Sequence, residues 1–190
     1  MILGAAAPDG LLAAVQRGGL TAALGVAYGR ANSSCSGCIT GPGAGGVSTL
    51  LEVQQQIGRT FRAGLTVGSW WHTAAGDSER MVSLLASFHL SPVLSDSYLS
   101  FLCHKHCFVT GGVGVSSYHA SVSSGIGGKG FGLMLGFGYD VPVGRRTQVV
   151  PSLRYTHGSV GNLAYGATGG TFATEWTQHV LEVGLGLTLR

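Results

Sequence analysis

Hydrophobic and polar residues alternate with a period of two in eight segments of this chain. The last segment shows the pattern plainly, because its odd positions from 181 to 189 are Leu or Val and its even positions are Glu, Gly or Thr. Successive side chains of a strand point to opposite faces. Each segment therefore predicts a strand with one apolar face and one small or polar face.

Eight strands of about ten residues, the length that a tilted strand needs to cross a bilayer, can be placed along the chain. They cover about 19–30, 47–57, 61–73, 80–90, 107–120, 130–143, 147–157 and a last segment that ends at Arg190. Tight turns at 58–60 and 144–146 and a longer link at 91–106 alternate with Gly- and Ser-rich loops at 31–46, 74–79, 121–129 and 158–175. We predict an all-β fold: an eight-stranded, antiparallel, up-and-down transmembrane β-barrel.

The positions of the charged residues in the strands indicate which face points into the barrel. Glu52, Arg62, Asp140, Arg154 and Glu182 all fall on the face opposite the aliphatic residues. A soluble barrel such as a lipocalin would carry its apolar face inside, whereas a membrane barrel turns it toward lipid. We therefore expect a lumen charge network of these five residues, with Glu52–Arg62 and Arg154–Glu182 as neighbouring-strand pairs.

Composition narrows the classes of function. The 190 residues include 33 Gly, 45% are hydrophobic, only 10% are charged, and the chain has no apolar run of 18 residues. The formal charge of +3 is too small and too scattered for a nucleic-acid surface. We expect a tail at 1–17, a remnant of a signal or export segment, and one barrel domain at 18–190. We also expect a monomer in outer-membrane lipid, without a cofactor.

Four cysteines form two close pairs, Cys35 with Cys38 and Cys103 with Cys107. A loop disulfide is favoured for the first pair, because an exported protein meets an oxidising compartment and no helix follows that would activate a thiol. Residues 103–107 read Cys-His-Lys-His-Cys, which suggests zinc. An extended strand would turn the cysteines and histidines to opposite sides, so one ion could not bind all four. We therefore treat all four cysteines as disulfide candidates and predict no metal site.

The segments 108–118, 130–140, 144–145, 151–155 and 180–187 resemble the small bacterial outer-membrane β-barrel proteins, the porin-like or OmpA-like barrel domains. The resemblance extends over nearly the whole chain from Gly18. It implies a location in the bacterial outer membrane and a non-enzymatic role, either structural or narrowly porin-like. A protein that binds or adheres through its surface loops is an open alternative.

One motif suggests an enzyme. His157 and Ser159 lie two residues apart at the end of the seventh strand, and an acid that orients the histidine would complete an activated serine nucleophile. Either Glu175 or Glu79 could be that acid. The motif weakly resembles the His-x-Ser-Asn motif of outer-membrane lipid A deacylases, with Val160 in place of Asn. An ordinary loop boundary is the favoured interpretation, and a deacylase-like esterase is the alternative.

Overall fold

The structure is a computed structural model that describes residues 19–36, 43–58, 60–74, 76–91, 106–121, 125–166 and 168–190. The predicted tail, Cys38 and Cys103 lie outside these ranges. The described strands are β1 (Leu20–Ser36), β2 (Ala44–Gln56), β3 (Phe61–Ala74), β4 (Asp77–Leu90), β5 (Cys107–Ala120), β6 (Ile126–Tyr139), β7 (Val141–Pro142), β8 (Thr147–Tyr165) and β9 (Thr171–Leu189). No helix in the described ranges is long and apolar enough to cross a membrane.

The strands close into a barrel. Consecutive strands from β1 to β6 pair in antiparallel fashion, β8 pairs with both β6 and β9, and β9 pairs with β1. The short strand β7 continues β6 after Asp140 and pairs with the start of β8. The predicted fold, a closed eight-stranded antiparallel barrel, is confirmed.

The two faces of the strands are segregated as the alternation predicts. Outward residues such as Leu24 (65% exposed) and Val183 (67% exposed) form an apolar band around the barrel, while inward residues such as Met134 (2% exposed) are buried. Water-soluble monomers rarely expose an apolar surface as continuous as this one. The band is the surface that would contact lipid.

The barrel has two distinct ends. The turn end carries the connections at 57–60 and 143–146 together with Arg190, and the loop end carries the connections at 37–43, 75–76, 121–125 and 166–170. At the loop end β1, β8 and β9 are longer than predicted, so most of the predicted loops at 31–46 and 158–175 are strand.

Backbone irregularities explain why the sequence pattern hid these extensions. Gly161 (φ 73°) and Glu175 (φ 54°) have positive φ values, and the register between β8 and β9 shifts between Ser159 and Gly161 and again after it. A bulge adds one residue to one strand and shifts the alternation by one position. A strict period of two therefore stops at the bulge although the strand continues.

Candidate functional site

A buried ion pair joins two neighbouring strands on the inside of the barrel. Arg154 and Glu182 lie directly opposite each other on β8 and β9, with Arg154 Nε 2.9 Å from Glu182 Oε2 and side chains that are 7% and 6% exposed. Two inward glycines leave room for the pair: a Cβ at Gly29 would lie 2.9 Å from Glu182 Cγ, and one at Gly136 would lie 3.4 Å from Arg154 Cγ. Charges this deeply buried require a partner. Arg154 and Glu182 are each other's partner.

Glu52 and Arg62 are not brought together, although both lie on neighbouring strands. The register places Glu52 opposite Thr66 and Arg62 opposite Gln56, so the two charged residues are offset by four positions along the strands. Thr66 Oγ1 lies 3.4 Å from Glu52 Oε1. No ion pair within the described ranges joins Glu52 to Arg62. The predicted Glu52–Arg62 pair is wrong, because two side chains that face the lumen from neighbouring strands can still be offset along those strands.

Arg62 belongs instead to a cluster at the turn end, which we call the Asp140 cluster: Arg62, His89, Asp140 and Arg190. Asp140 Oδ2 lies 2.6 Å from Arg190 Nη2 and 3.7 Å from Arg62 Nη2. Arg62 also hydrogen-bonds to Nε2 of His89. The His89 ring stacks on Phe108, with the ring centroids 3.9 Å apart.

Sequence reasoning missed His89 and Arg190 as members of this network. His89 alternates with Phe88 and Leu90, which face outward, so its inward direction was readable from the period of two. Arg190 follows the last strand residue, and its role depends on the barrel closure that brings it beside Asp140.

Within the described residues, the largest of three lumen cavities lies near the turn end. A cavity of about 270 Å³ at the mouth is lined by residues that include Arg62, His106 and Arg190. Deeper in, a cavity of about 50 Å³ is lined by both Asp140 and Arg154. A third cavity of about 20 Å³ lies on the loop-end side of the ion pair, lined by residues that include Trp70, Met134 and Glu182. Because one water needs roughly 10–15 Å³, this cavity has room for one or two waters.

Large apolar side chains occupy the loop-end half of the lumen together with buried polar residues such as Ser48, Ser83 and Gln178. The plug consists of residues that are at most 3% exposed: Trp70, Met81, Leu85, Met134 and Val180. Beyond it lies a second set, which we call the loop-end core: Tyr118, Ile126, Val160, Leu163 and Ala173. The polar lumen that opens at the turn end therefore ends blind in the described part of the barrel.

The geometry around His157 does not assemble the proposed esterase machinery. His157 and Ser159 lie on the outward face of β8. His157 Nδ1 lies 3.1 Å from Nδ1 of His179, directly opposite on β9. Glu175 is an exposed residue at the positive-φ irregularity of β9. Within the described ranges, no hydrogen bond or ion pair links His157 to Ser159 or to Glu175.

The cysteines are only partly described. Cys35 is disulfide-bonded and packs against the loop-end core, and Cys107 is buried at the start of β5. Cys38 and Cys103 lie outside the described residues, so the Cys35–Cys38 and Cys103–Cys107 pairings stay predictions. The described residues contain no group of three or more His, Cys, Asp or Glu side chains that could hold a metal ion.

No family model and no curated protein sequence matches the chain. Solved structures do match. The crystal structure of Neisserial surface protein A aligns with a TM-score of 0.56 and 14% identity over 88% of this chain and 96% of that one. The fold is that of the eight-stranded outer-membrane barrels.

Two further structures support the same fold. Ail, the attachment invasion locus protein of Yersinia pestis, solved in complex with the heparin analogue sucrose octasulfate, aligns with a TM-score of 0.54 and 8% identity over 90% of this chain and 99% of that one. The outer-membrane protein AlkL, solved in lipid bilayers, aligns with a TM-score of 0.51 and 12% identity over 91% of this chain and 90% of that one. The predicted outer-membrane location agrees with the class of these proteins.

Proposed function

We propose that this protein is a non-enzymatic, non-conducting barrel of the bacterial outer membrane with a structural role. The observation that carries the proposal is the plug in the described part of the lumen. Trp70, Leu85 and Met134 are each at most 2% exposed, and they stand between the ion pair and the loop end. An eight-stranded barrel has an interior about wide enough for its own side chains, and here large apolar side chains occupy it.

The polar half of the lumen is consistent with this role. Arg154 and Glu182 neutralise each other, and Asp140 is flanked by Arg62 and Arg190. These contacts hold neighbouring and distant strands together across the interior. Beyond these contacts the large side chains of the plug occupy the described part of the lumen, whereas a narrow porin would require an open polar pathway.

The two other functions considered from sequence have less support. For the esterase alternative, the polar partner of His157 within the described ranges is His179, not an acid. The adhesion or binding alternative concerns the surface loops, and residues 37–42 and 122–124 of those loops lie outside the described ranges.

Conductance in a planar lipid bilayer tests the proposal. The refolded protein, shown to be inserted by heat-modifiable gel migration, is expected to give no stepwise channel openings, because the plug blocks ion passage. A known open porin serves as the control for the assay. Regular openings of uniform size from the folded protein would contradict the proposal.

A further inference from the structure

Two histidines meet on the outside of the barrel, near the loop end. His157 on β8 lies directly opposite His179 on β9, and their Nδ1 atoms are 3.1 Å apart. The two rings are inclined by 33°, with their centroids 4.7 Å apart. Tyr155 shares the outward face of β8 with His157, and its Oη lies 2.5 Å from Nδ1 of His179. Two nitrogen atoms and one phenol oxygen therefore converge on one small region of the β8–β9 surface.

A hydrogen bond satisfies only part of this arrangement. A ring nitrogen of a neutral histidine carries either one proton or one lone pair, yet Nδ1 of His179 has two polar partners, His157 Nδ1 and Tyr155 Oη. A metal ion between the three donor atoms would bind all of them at once. In a tetrahedral zinc site with Zn–N bonds of about 2.0–2.1 Å, two nitrogen ligands are roughly 3.3 Å apart, which is close to the observed 3.1 Å.

The surroundings of the pair are polar and partly open to water. The next outward residues toward the loop end are Ser159 and Thr177, which lie opposite each other on β8 and β9. Thr177 Oγ1 lies 2.6 Å from the hydroxyl oxygen of Ser34 on β1. His157 and His179 are both partly exposed. The pair is therefore at the polar edge of the apolar band, where a hydrated ion can reach it.

The neighbouring cation does not point at the pair. Asn32 lies opposite His179 on β1, and Arg30 is the next outward residue of that strand toward the apolar band. A Cβ at Gly43 would lie 3.0 Å from Arg30 Nε. Because Gly43 precedes β2, on the side of β1 opposite β9, the Arg30 side chain leans away from the two imidazoles.

The backbone holds the two imidazoles in fixed positions. His179 is paired with Asn32 on one side and with His157 on the other, and His157 is paired with Leu133 on its second side. Neither histidine is on a free sheet edge. The register between β8 and β9 shifts just beyond the pair, at Gly161, and such bulges aim nearby side chains. Preorganised ligands lower the cost of binding.

We propose that His157 and His179 bind a divalent transition-metal ion such as Zn²⁺, with the Tyr155 oxygen as the third donor and water in the fourth position. Imidazole is a preferred ligand of zinc, copper and nickel, and three protein ligands with one open position are a common zinc arrangement. The third donor here is a phenol, so the site is compatible with the lack of groups of three His, Cys, Asp or Glu in the described ranges.

The site could not be found from the sequence, because the two histidines are 22 positions apart and meet only through the strand register. It also goes beyond the proposed structural role and is independent of it. His157 and His179 lie on the outer surface, whereas the plug lies in the lumen.

Metal titration of the refolded, untagged protein in detergent tests the inference. Isothermal titration calorimetry with ZnCl₂ is expected to show saturable binding at one ion per chain. His157→Gln and His179→Gln are each expected to weaken binding by at least about tenfold, the smallest loss usual when even an outer partner of a metal ligand is removed. Tyr155→Phe is expected to lose less affinity than either histidine variant, because it keeps both nitrogen ligands.

Electron paramagnetic resonance with one equivalent of Cu²⁺ as the probe counts the nitrogen ligands. Wild type and Tyr155→Phe are expected to show two coupled imidazole nitrogens, and each single histidine variant is expected to show one. The matched control is His119→Gln, which removes an exposed histidine at the same end. The strand partners of His119 are Arg80 and Gly127, so this variant is expected to bind like wild type.

Unchanged zinc affinity in the double variant His157→Gln/His179→Gln would assign the metal to other side chains and overturn the inference. The absence of saturable zinc binding to wild type, or fewer than two coupled nitrogens in its Cu²⁺ spectrum, would overturn it without any variant. Heat-modifiable migration shows that each variant is folded. A folded, non-conducting barrel that binds no zinc would refute the metal site alone, whereas conductance would refute the proposed function instead.

Discussion

Replacing Arg154 with alanine is expected to lower the free energy of unfolding by about 3–5 kcal/mol, because the change leaves the buried Glu182 carboxylate without its partner. The loss would be measured by urea unfolding of the barrel in lipid vesicles. Arg154 is buried opposite Glu182, with 2.9 Å between Nε and Oε2. No other cation forms an ion pair with Glu182 in the described part of the structure.

Two controls separate this effect from general damage. The double variant Arg154→Met/Glu182→Leu removes both charges together and is expected to recover most of the lost stability, because a well-packed apolar replacement of a buried ion pair is often close to neutral. Arg145→Ala changes an exposed turn residue and is expected to stay within about 0.5 kcal/mol of wild type. An Arg154→Ala barrel as stable as wild type would contradict the assigned pair.

Replacing Trp70 with alanine is expected to cost about 3–5 kcal/mol, the usual range for a large aromatic side chain in a packed core. Trp70 is 2% exposed and packs with Met81 and Val180 inside the barrel. The surrounding strands are held by the closed hydrogen-bond network, so they can collapse only partly into the space left behind. The same unfolding assay measures the loss.

Trp70→Phe is the matched variant, because it keeps an aromatic ring in the plug and is expected to lose clearly less stability than Trp70→Ala. A second comparison is Trp71→Ala, which removes a side chain that is 38% exposed on the outward face. A larger loss from Trp71→Ala than from Trp70→Ala would contradict the assignment of Trp70 to the plug.

The alternation of period two was sufficient to predict the strands that cross the membrane, because it reports the two environments that each strand separates. β5 has the predicted bounds, Cys107–Ala120. The inward direction of Arg154 and Glu182 could also be predicted from sequence, since both alternate with the aliphatic residues of adjacent strands. The fold could therefore be predicted from the hydrophobic alternation alone.

Other features depend on the stagger between strands, which the pattern does not contain. Glu52 and Arg62 face the same lumen but are offset in register, so Arg62 reaches Asp140 instead. The extension of β8 to Tyr165 depends on irregularities such as Gly161, which shift the phase of the alternation. The plug was missed because it needs the closed barrel: Trp70 and Met81 are neighbours on the β3–β4 hairpin, but Val180 packs against them from β9 only after closure.

The central claim is that the strand face carrying the buried charges and the plug points into the barrel, and that the exposed apolar face meets lipid. Trp70 and Trp71 test it directly, because they are consecutive residues on opposite faces of β3, and a register error of one residue would exchange them. Trp70→Phe/Trp176→Phe leaves only Trp71, and Trp71→Phe/Trp176→Phe leaves only Trp70. In vesicles of brominated phospholipid, the fluorescence of Trp71 is predicted to be strongly quenched and that of Trp70 to be largely protected. Stronger quenching of Trp70 than of Trp71 would contradict the inside–outside assignment of the barrel.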